Sequence, residues 1–344
     1  MNNMLASCAA FQARTCQMIR LLLGSALLVC LLVPSVASGE RIRVAYSNLS
    51  GSTAPIWITK EAGLFEKYGL DVEVTFVEGG AKTMAVLVAG EASIAQLGGS
   101  HVVSSHLAGS GVVILAGVIN ILEYKVMVPK EITRPEQLKG KKAAVATIGG
   151  TGYLAMQYAL EQWGMAPDKD VAMLQIGSEP TRLQALMAGS VQAATLSLPA
   201  TLKAQKAGFT TLMDLSTESI EYQHLTLAAT KGFLQSRPET VKKFLRAYLE
   251  GIAFYKTRKE ESLKILSKYF KSGERDELEA TYNEYALKIV QKKPYPTIKG
   301  LQFVMKELAQ KNPKVKDARP EQFLELSFLK ELDQSGFIDR LYQK

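Results

Sequence analysis

Leu87-Val88-Ala89-Gly90-Glu91-Ala92-Ser93-Ile94-Ala95-Gln96-Leu97 and Leu186-Met187-Ala188-Gly189-Ser190-Val191-Gln192-Ala193-Ala194-Thr195-Leu196 share one plan, 99 residues apart: a helix end, an Ala-Gly turn and a short apolar strand. At that offset Leu87, Ala89, Gly90, Ala95, Leu97, Ala108 and Gly109 recur as Leu186, Ala188, Gly189, Ala194, Leu196, Ala207 and Gly208. Self-similarity at a fixed offset is the mark of a duplicated unit. Working outward, each copy alternates β-branched runs with helical stretches. The first places strands at 42–46, 71–77, 93–97 and 112–118, with helices at 54–62, 82–89 and 100–108. The second places strands at 142–146, 171–176 and 191–196, with helices at 152–163, 181–188 and 201–207. Strands separated by helices pair in parallel, so the chain reads as two α/β lobes.

Beyond about residue 236 the pattern turns helical. Ser236-Arg237-Pro238-Glu239 reads as a capping box with proline in the first turn, and Val241, Phe244, Leu245, Tyr248, Leu249, Ile252 and Tyr255 form one apolar stripe. Further helices are expected at 261–270, 274–290, 298–310 and 323–333. These should pack on the first lobe. The expected architecture is a clamshell: lobe 1 from 39–124 plus 225–344, lobe 2 from 125–224, with hinge crossings near 123–125 and 222–227.

Arg14 and Arg20 precede the apolar run 21–33, and Ser35-Val36-Ala37 supplies a small-residue cleavage site. This is the pattern of a secretory signal peptide over 1–38, and thirteen apolar residues are too few to span a bilayer, which takes about 20. Cys8, Cys16 and Cys30 all lie in this leader. The exported chain, cut near 37–39, would therefore have no disulfide, thiolate ligand or cysteine nucleophile. Leu27-Leu28-Val29 lacks the small residue that precedes a lipidated cysteine, so Cys30 is not read as an anchor.

The net charge of +8 resides in residues 231–344, which hold 24 basic and 16 acidic side chains. They are spread singly, without the clustered Lys/Arg and interleaved aromatics of a nucleic-acid face, so no nucleic-acid partner is expected.

Loops that follow strands carry the ligand in open α/β sheets. Here they are Ser47-Asn48-Leu49-Ser50-Gly51-Ser52-Thr53, Glu78-Gly79-Gly80, Gly98-Gly99-Ser100, Thr147-Ile148-Gly149-Gly150-Thr151-Gly152-Tyr153 and Ser197-Leu198-Pro199. Each joins glycine or a hydroxyl residue to a helix start, where unpaired N–H groups and the helix dipole favour a small polar or anionic guest. Trp57 and Tyr153 are candidates to stack on it. Other chemistries lack their residues. Gly149-Gly150-Thr151-Gly152 is neither a Walker loop nor a full dinucleotide fingerprint. His101, His106 and His224 have no ligand spacing for a metal, and no Gly-x-Ser-x-Gly follows a strand. No cofactor or metal is expected.

Ala54-Pro55-Ile56-Trp57-Ile58, Glu61-Ala62-Gly63-Leu64-Phe65-Glu66-Lys67-Tyr68-Gly69-Leu70-Asp71-Val72, the 87–95 stretch, and Leu138-Lys139-Gly140-Lys141-Lys142 with 149–152 resemble the nitrate/sulfonate/taurine substrate-binding proteins of ABC importers, a superfamily that includes thiamine-pyrimidine binders. The resemblance covers about 42–270. It implies a type II periplasmic-binding-protein clamshell that closes on its ligand and presents it to an inner-membrane ABC permease, acting as a monomer and without catalysis. Carried over by position, it implies ligand contacts at Ser47, Asn48, Gly79, Gly80, Gly99, Ser100, Thr147, Thr151, Gly152 and Ser197. The pyrimidine-synthesising members depend on a cysteine-rich motif that this chain lacks. A ligand-sensing partner for a membrane signalling protein is the alternative, ahead of an exported enzyme on the same fold.

Overall fold

A computed structural model describes residues 40–218 and 220–343. The expected signal peptide and Cys30 lie outside the described residues. Ten strands form two five-stranded sheets. The first holds β1 (Glu40–Tyr46), β2 (Leu70–Phe76), β3 (Ile94–Gly98) and β4 (Val112–Ile121); the second holds β6 (Lys142–Val145), β7 (Ala172–Gln175), β8 (Ala193–Leu196) and β9 (Phe209–Asp214). Into each sheet one antiparallel strand is inserted from the far side of a crossing. Strand β10 (Glu221–Thr230) enters the first and β5 (Lys125–Pro129) the second, giving the orders β2-β1-β3-β10-β4 and β7-β6-β8-β5-β9. The 222–227 stretch expected as the second crossing is thus strand, paired with β3 and β4, and the chain changes sheets over 215–220 instead.

The duplication extends to individual hydrogen bonds. Val44 pairs with Val74 and Ile94; 99 residues on, Ala143 pairs with Met173 and Ala193. Ser93 N donates to Arg43 O and Gln192 N to Lys142 O, both at 2.9 Å. Gly90 and Gly189 close equivalent helices at φ 76° and 69°, and Gly109 and Gly208 do the same at 93° and 89°. The left-handed turn that lets a helix run directly into a strand admits glycine at little cost, which is why these glycines recur while most neighbours do not.

Alternate residues of β4 face opposite sides: Val113 and Leu115 enter one apolar core, Val112 and Ile114 another. The first core lies beneath helices Ala54–Glu61 and Pro238–Thr257, where Phe65 stacks on Phe244 at 5.2 Å between ring centres. The capping box is not formed. Ser236 Oγ donates to Phe233 O at the end of helix Lys231–Ser236, and Arg237 precedes the long helix without a side-chain cap. The second core runs on into the second lobe, joining Leu301 and Val304 of helix Ile298–Ala309 to Leu154, Ala155 and Met156.

Gly90→Ala and Gly189→Ala would each meet no atom within 4 Å, so their cost is conformational alone. Each should lower the unfolding free energy by about 1–2 kcal/mol in denaturant titrations, and by similar amounts, because the two turns are copies.

Candidate functional site

The lobes are shut against each other. Gly51 N donates to Leu198 O at 3.0 Å and Ser178 N to Glu78 Oε1 at 2.8 Å. At the rim, Lys206 Nζ lies 2.8 Å from Asp276 Oδ2, and Gln157 Nε2 donates to Gln310 Oε1 at 2.7 Å. Between them is a cavity of about 40 Å³, lined by Ser47, Asn48, Gly79 and Gly80 from the first lobe and Thr147, Thr151 and Gly152 from the second. A water needs roughly 10–15 Å³ by this measure, so the closed cavity holds a group of about three heavy atoms.

Three helix starts border this space: Gly80–Val88, Gly99–Leu107 and Thr151–Gln162. None has a side-chain cap, because Gly79, Gly98 and Gly150 occupy the cap positions. Helix starts leave up to four N–H groups without intrahelical partners, and here no serine or aspartate answers them. The duplication puts Asn48 and Thr147 at equivalent positions, one from each lobe, on the cavity wall. Glycine also sets how closely the walls meet. A Cβ on Gly98 would lie 2.7 Å from Thr151 Oγ1 of the other lobe, and one on Gly79 would lie 3.1 Å from Thr147 Oγ1.

The other expected residues stand elsewhere. Trp57 is fully buried in the first core, stacked on Tyr269 at 4.6 Å between centres and edge-on to Tyr46. Its helix is sandwiched beneath the tail helices, so the indole has no path to the cleft. Tyr153 points its hydroxyl at Asp168, in the turn after its own helix, and at Lys311, just past helix Ile298–Ala309. Gly99 lies against Gln223, and Ser100 is buried next to Tyr222 with its Oγ unpartnered. Ser197 is occupied by the protein itself: its N and Oγ donate to Glu179 at 2.9 and 2.8 Å. Glu179 stands one duplication step from Gly80, so the second lobe carries a built-in carboxylate where the first has an open helix start.

Tyr124, His101 and His224 line the cavity without having been singled out for it. His101 sits one position beyond Gly98-Gly99-Ser100, so reading that loop further into the helix finds it. Tyr124, in the crossing 122–124, and His224, on β10, stack at 5.0 Å and carry no local motif. Among the described residues no cluster of three or more His, Cys, Asp or Glu is placed to hold a metal.

Burial holds both imidazoles neutral, lowering His101 to about 4 and His224 to about 3. Below the ordinary 6.5 an unfolded imidazole takes a proton that the enclosed one refuses. The stability tied to these groups is therefore full above 6.5 and is lost as pH falls toward 4. Buried Glu123 and Glu179, both raised by burial, act with the opposite sign. Comparison with a variant isolates the histidine: between pH 7 and 5, His101→Gln should lose less unfolding free energy than the wild type, by on the order of 1 kcal/mol. Gly98→Ala, at an ordinary φ of −65°, should leave thermal stability nearly intact while preventing full closure. Small-angle scattering then reports a larger radius of gyration than that of the wild type.

Residues 51–262, well over half of the chain, match the NMT1/THI5-like family. The putative binding protein YtlA of Bacillus subtilis is 26% identical over 212 residues, 60% of this chain and 64% of that protein. The taurine-binding periplasmic protein of Escherichia coli is 28% identical over 222 residues, covering 62% and 66%. The chain thus spans just under two thirds of the length of these two curated relatives. The crystal structure of the periplasmic aliphatic sulphonate binding protein SsuA from Escherichia coli has a TM-score of 0.65 at 17% identity, over 84% of this chain and 92% of that one. At that identity the likeness is one of fold, and the fold is that of the periplasmic binding proteins. With its two duplicated lobes closed on a glycine-walled cavity, the chain belongs to the NMT1/THI5-like family.

Proposed function

We propose that this chain is the solute-binding component of an ABC importer: exported to the periplasm, it captures a small polar or anionic organic solute between its lobes and delivers it to a membrane permease. One observation carries the reading. Three uncapped helix starts, two from one lobe and one from the other, meet at a single interlobe cavity. Their N–H groups and dipoles suit an oxyanion, and the neutral histidines add no fixed charge. A guest held by both lobes binds the closed state better than the open one and so shifts the population toward closure. The relatives named for taurine and sulphonate binding support the same class of guest. We further propose that Ser47, Asn48, Gly79, Gly80, Thr147, Thr151 and Gly152 contact it, that the protein binds without transforming it, and that it works as a monomer.

Thr151→Ala removes a hydroxyl from the cavity wall without touching a core. In calorimetric titrations with nitrate, short sulfonates, short carboxylates and pyrimidines, the compound that binds wild-type protein should bind this variant about tenfold more weakly, the loss of one buried hydrogen bond of about 1.5 kcal/mol. Unchanged affinity would remove Thr151 from the site. No binding by any of the four classes would count against the importer reading itself.

A further inference from the structure

His101 stands where the three helix starts converge. It is the third residue of helix Gly99–Leu107, and its ring lies against the backbone of the other two starts. A Cβ on Gly80 would overlap the ring's Cδ2 and Nε2, and one on Gly150, across the cleft, would lie 3.0 Å from Nε2. A Cβ on Gly98 would lie 3.6 Å from Cδ2. The glycines at 80 and 150 thus make room for an imidazole that touches both lobes. One duplication step on, the second copy has Ala200, so the ring is an addition to the repeated plan. Among the described residues no protein group hydrogen-bonds to it and no charge acts on it; burial alone sets its protonation.

The cavity wall has no lysine, arginine or carboxylate, and the groups on it that titrate are His101, His224 and Tyr124. Burial keeps the Tyr124 phenol protonated. His224 stacks on that phenol and turns Nε2 toward Glu123, 3.6 Å away. Glu78, beside Gly79, gives its carboxylate to Ser178 N. That leaves His101 as the wall group free to become positive against helix starts of both lobes. In the protein alone, burial among the positive ends of helices holds it neutral. An enclosed oxyanion reverses the balance. Helix dipoles favour the anion but carry no net charge, so the cavity would hold an uncompensated ion, which is costly away from water. A proton on the ring makes the cavity neutral, and imidazolium and anion then stabilise each other.

Building on the solute-binding reading, we propose that His101 contacts the ligand and supplies its countercharge: the cleft takes up an anion together with one proton, which comes from water and resides on this imidazole between the lobes. The cleft then separates anions from neutral solutes by pH as well as by shape. The free ring titrates near 4, and the bound anion raises that value. Between the two values each binding event takes up a proton, so anion affinity climbs as pH falls; above the higher value it is flat. The anion raises the ring's proton affinity by the same factor by which the proton tightens the anion.

The test is calorimetric titration with nitrate, methanesulfonate and formate, which keep their charge between pH 5.5 and 7.5, and with uracil as a neutral probe. An anion that binds should do so at least about fivefold more tightly at pH 5.5 than at pH 7.5, with roughly 0.5–1 proton taken up at pH 5.5, read from buffers of different ionisation enthalpy. His101→Gln keeps a polar side chain without a titrating nitrogen; it should reduce the pH dependence below about twofold and abolish the uptake. The chain has three histidines, so nitrogen-15 spectra of histidine-labelled protein are readily assigned. At pH 5.5 the anion should create one additional imidazolium signature, missing from His101→Gln. Anion binding without proton uptake, or uptake that persists in His101→Gln, overturns the proposal and leaves the solute-binding reading standing. Binding of uracil alone overturns the proposal and the anion assignment, again leaving solute binding intact. Silence from all four probes overturns the proposal and counts against the solute-binding reading as well. Should His101→Gln fail to fold, as judged by circular dichroism, the wild type decides alone: no proton uptake, or no new imidazolium, refutes the proposal.

Discussion

Everything in the cleft follows from backbone donors that the protein declines to satisfy. At Gly79, Gly98 and Gly150 no side chain caps the helix that follows, and glycine gives up only about a few tenths of a kcal/mol there against serine or aspartate. Glycine there leaves the amides open and lets the opposing wall approach within contact distance of Thr147 and Thr151. The cores beneath are large and well filled, so the fold does not depend on these three caps. Trp57 shows the division of labour: the most conspicuous aromatic of its motif secures the helix, and the neighbouring loops line the cavity.

The crossings account for the rest of the arrangement. Strands β5 and β10 are each inserted into the sheet opposite the one they follow, so each lobe is completed by chain that has just left the other. Two covalent connections at one side of the cleft restrict relative motion to opening and closing. They also bring Tyr124 and His224 to the cavity, and Glu123 beside it. Ion pairs at the rim, such as Lys206 with Asp276, lie in solvent and add little by themselves; the interlobe backbone bonds at Gly51 and Ser178 are better shielded.

Much of this was legible in the residues. The 99-residue repetition is visible because its turns demand glycine at 90, 109, 189 and 208, and the alternation of strand and helix follows from apolar periodicity. The glycine loops could be read as a site because unpaired amides need no side chain to act. What stayed hidden arrived by topology. No α-helix separates β4 from β5 or β9 from β10 to mark these strands out, and 222–227 reads equally well as a connection until its partners are known. Ser197 looks like a donor for a guest, yet the glutamate that takes it, Glu179, is 18 positions away along the chain. Trp57 and Tyr153 have the composition of stacking residues, and only packing shows that each faces away.

Where the first copy has Gly80, the second has Glu179, already hydrogen-bonded by Ser197 and accompanied by Arg182. A perfectly repeated pair of halves would accept a visitor equally well in either of two opposite poses. This single divergence removes that degeneracy, giving the chamber a head and a foot.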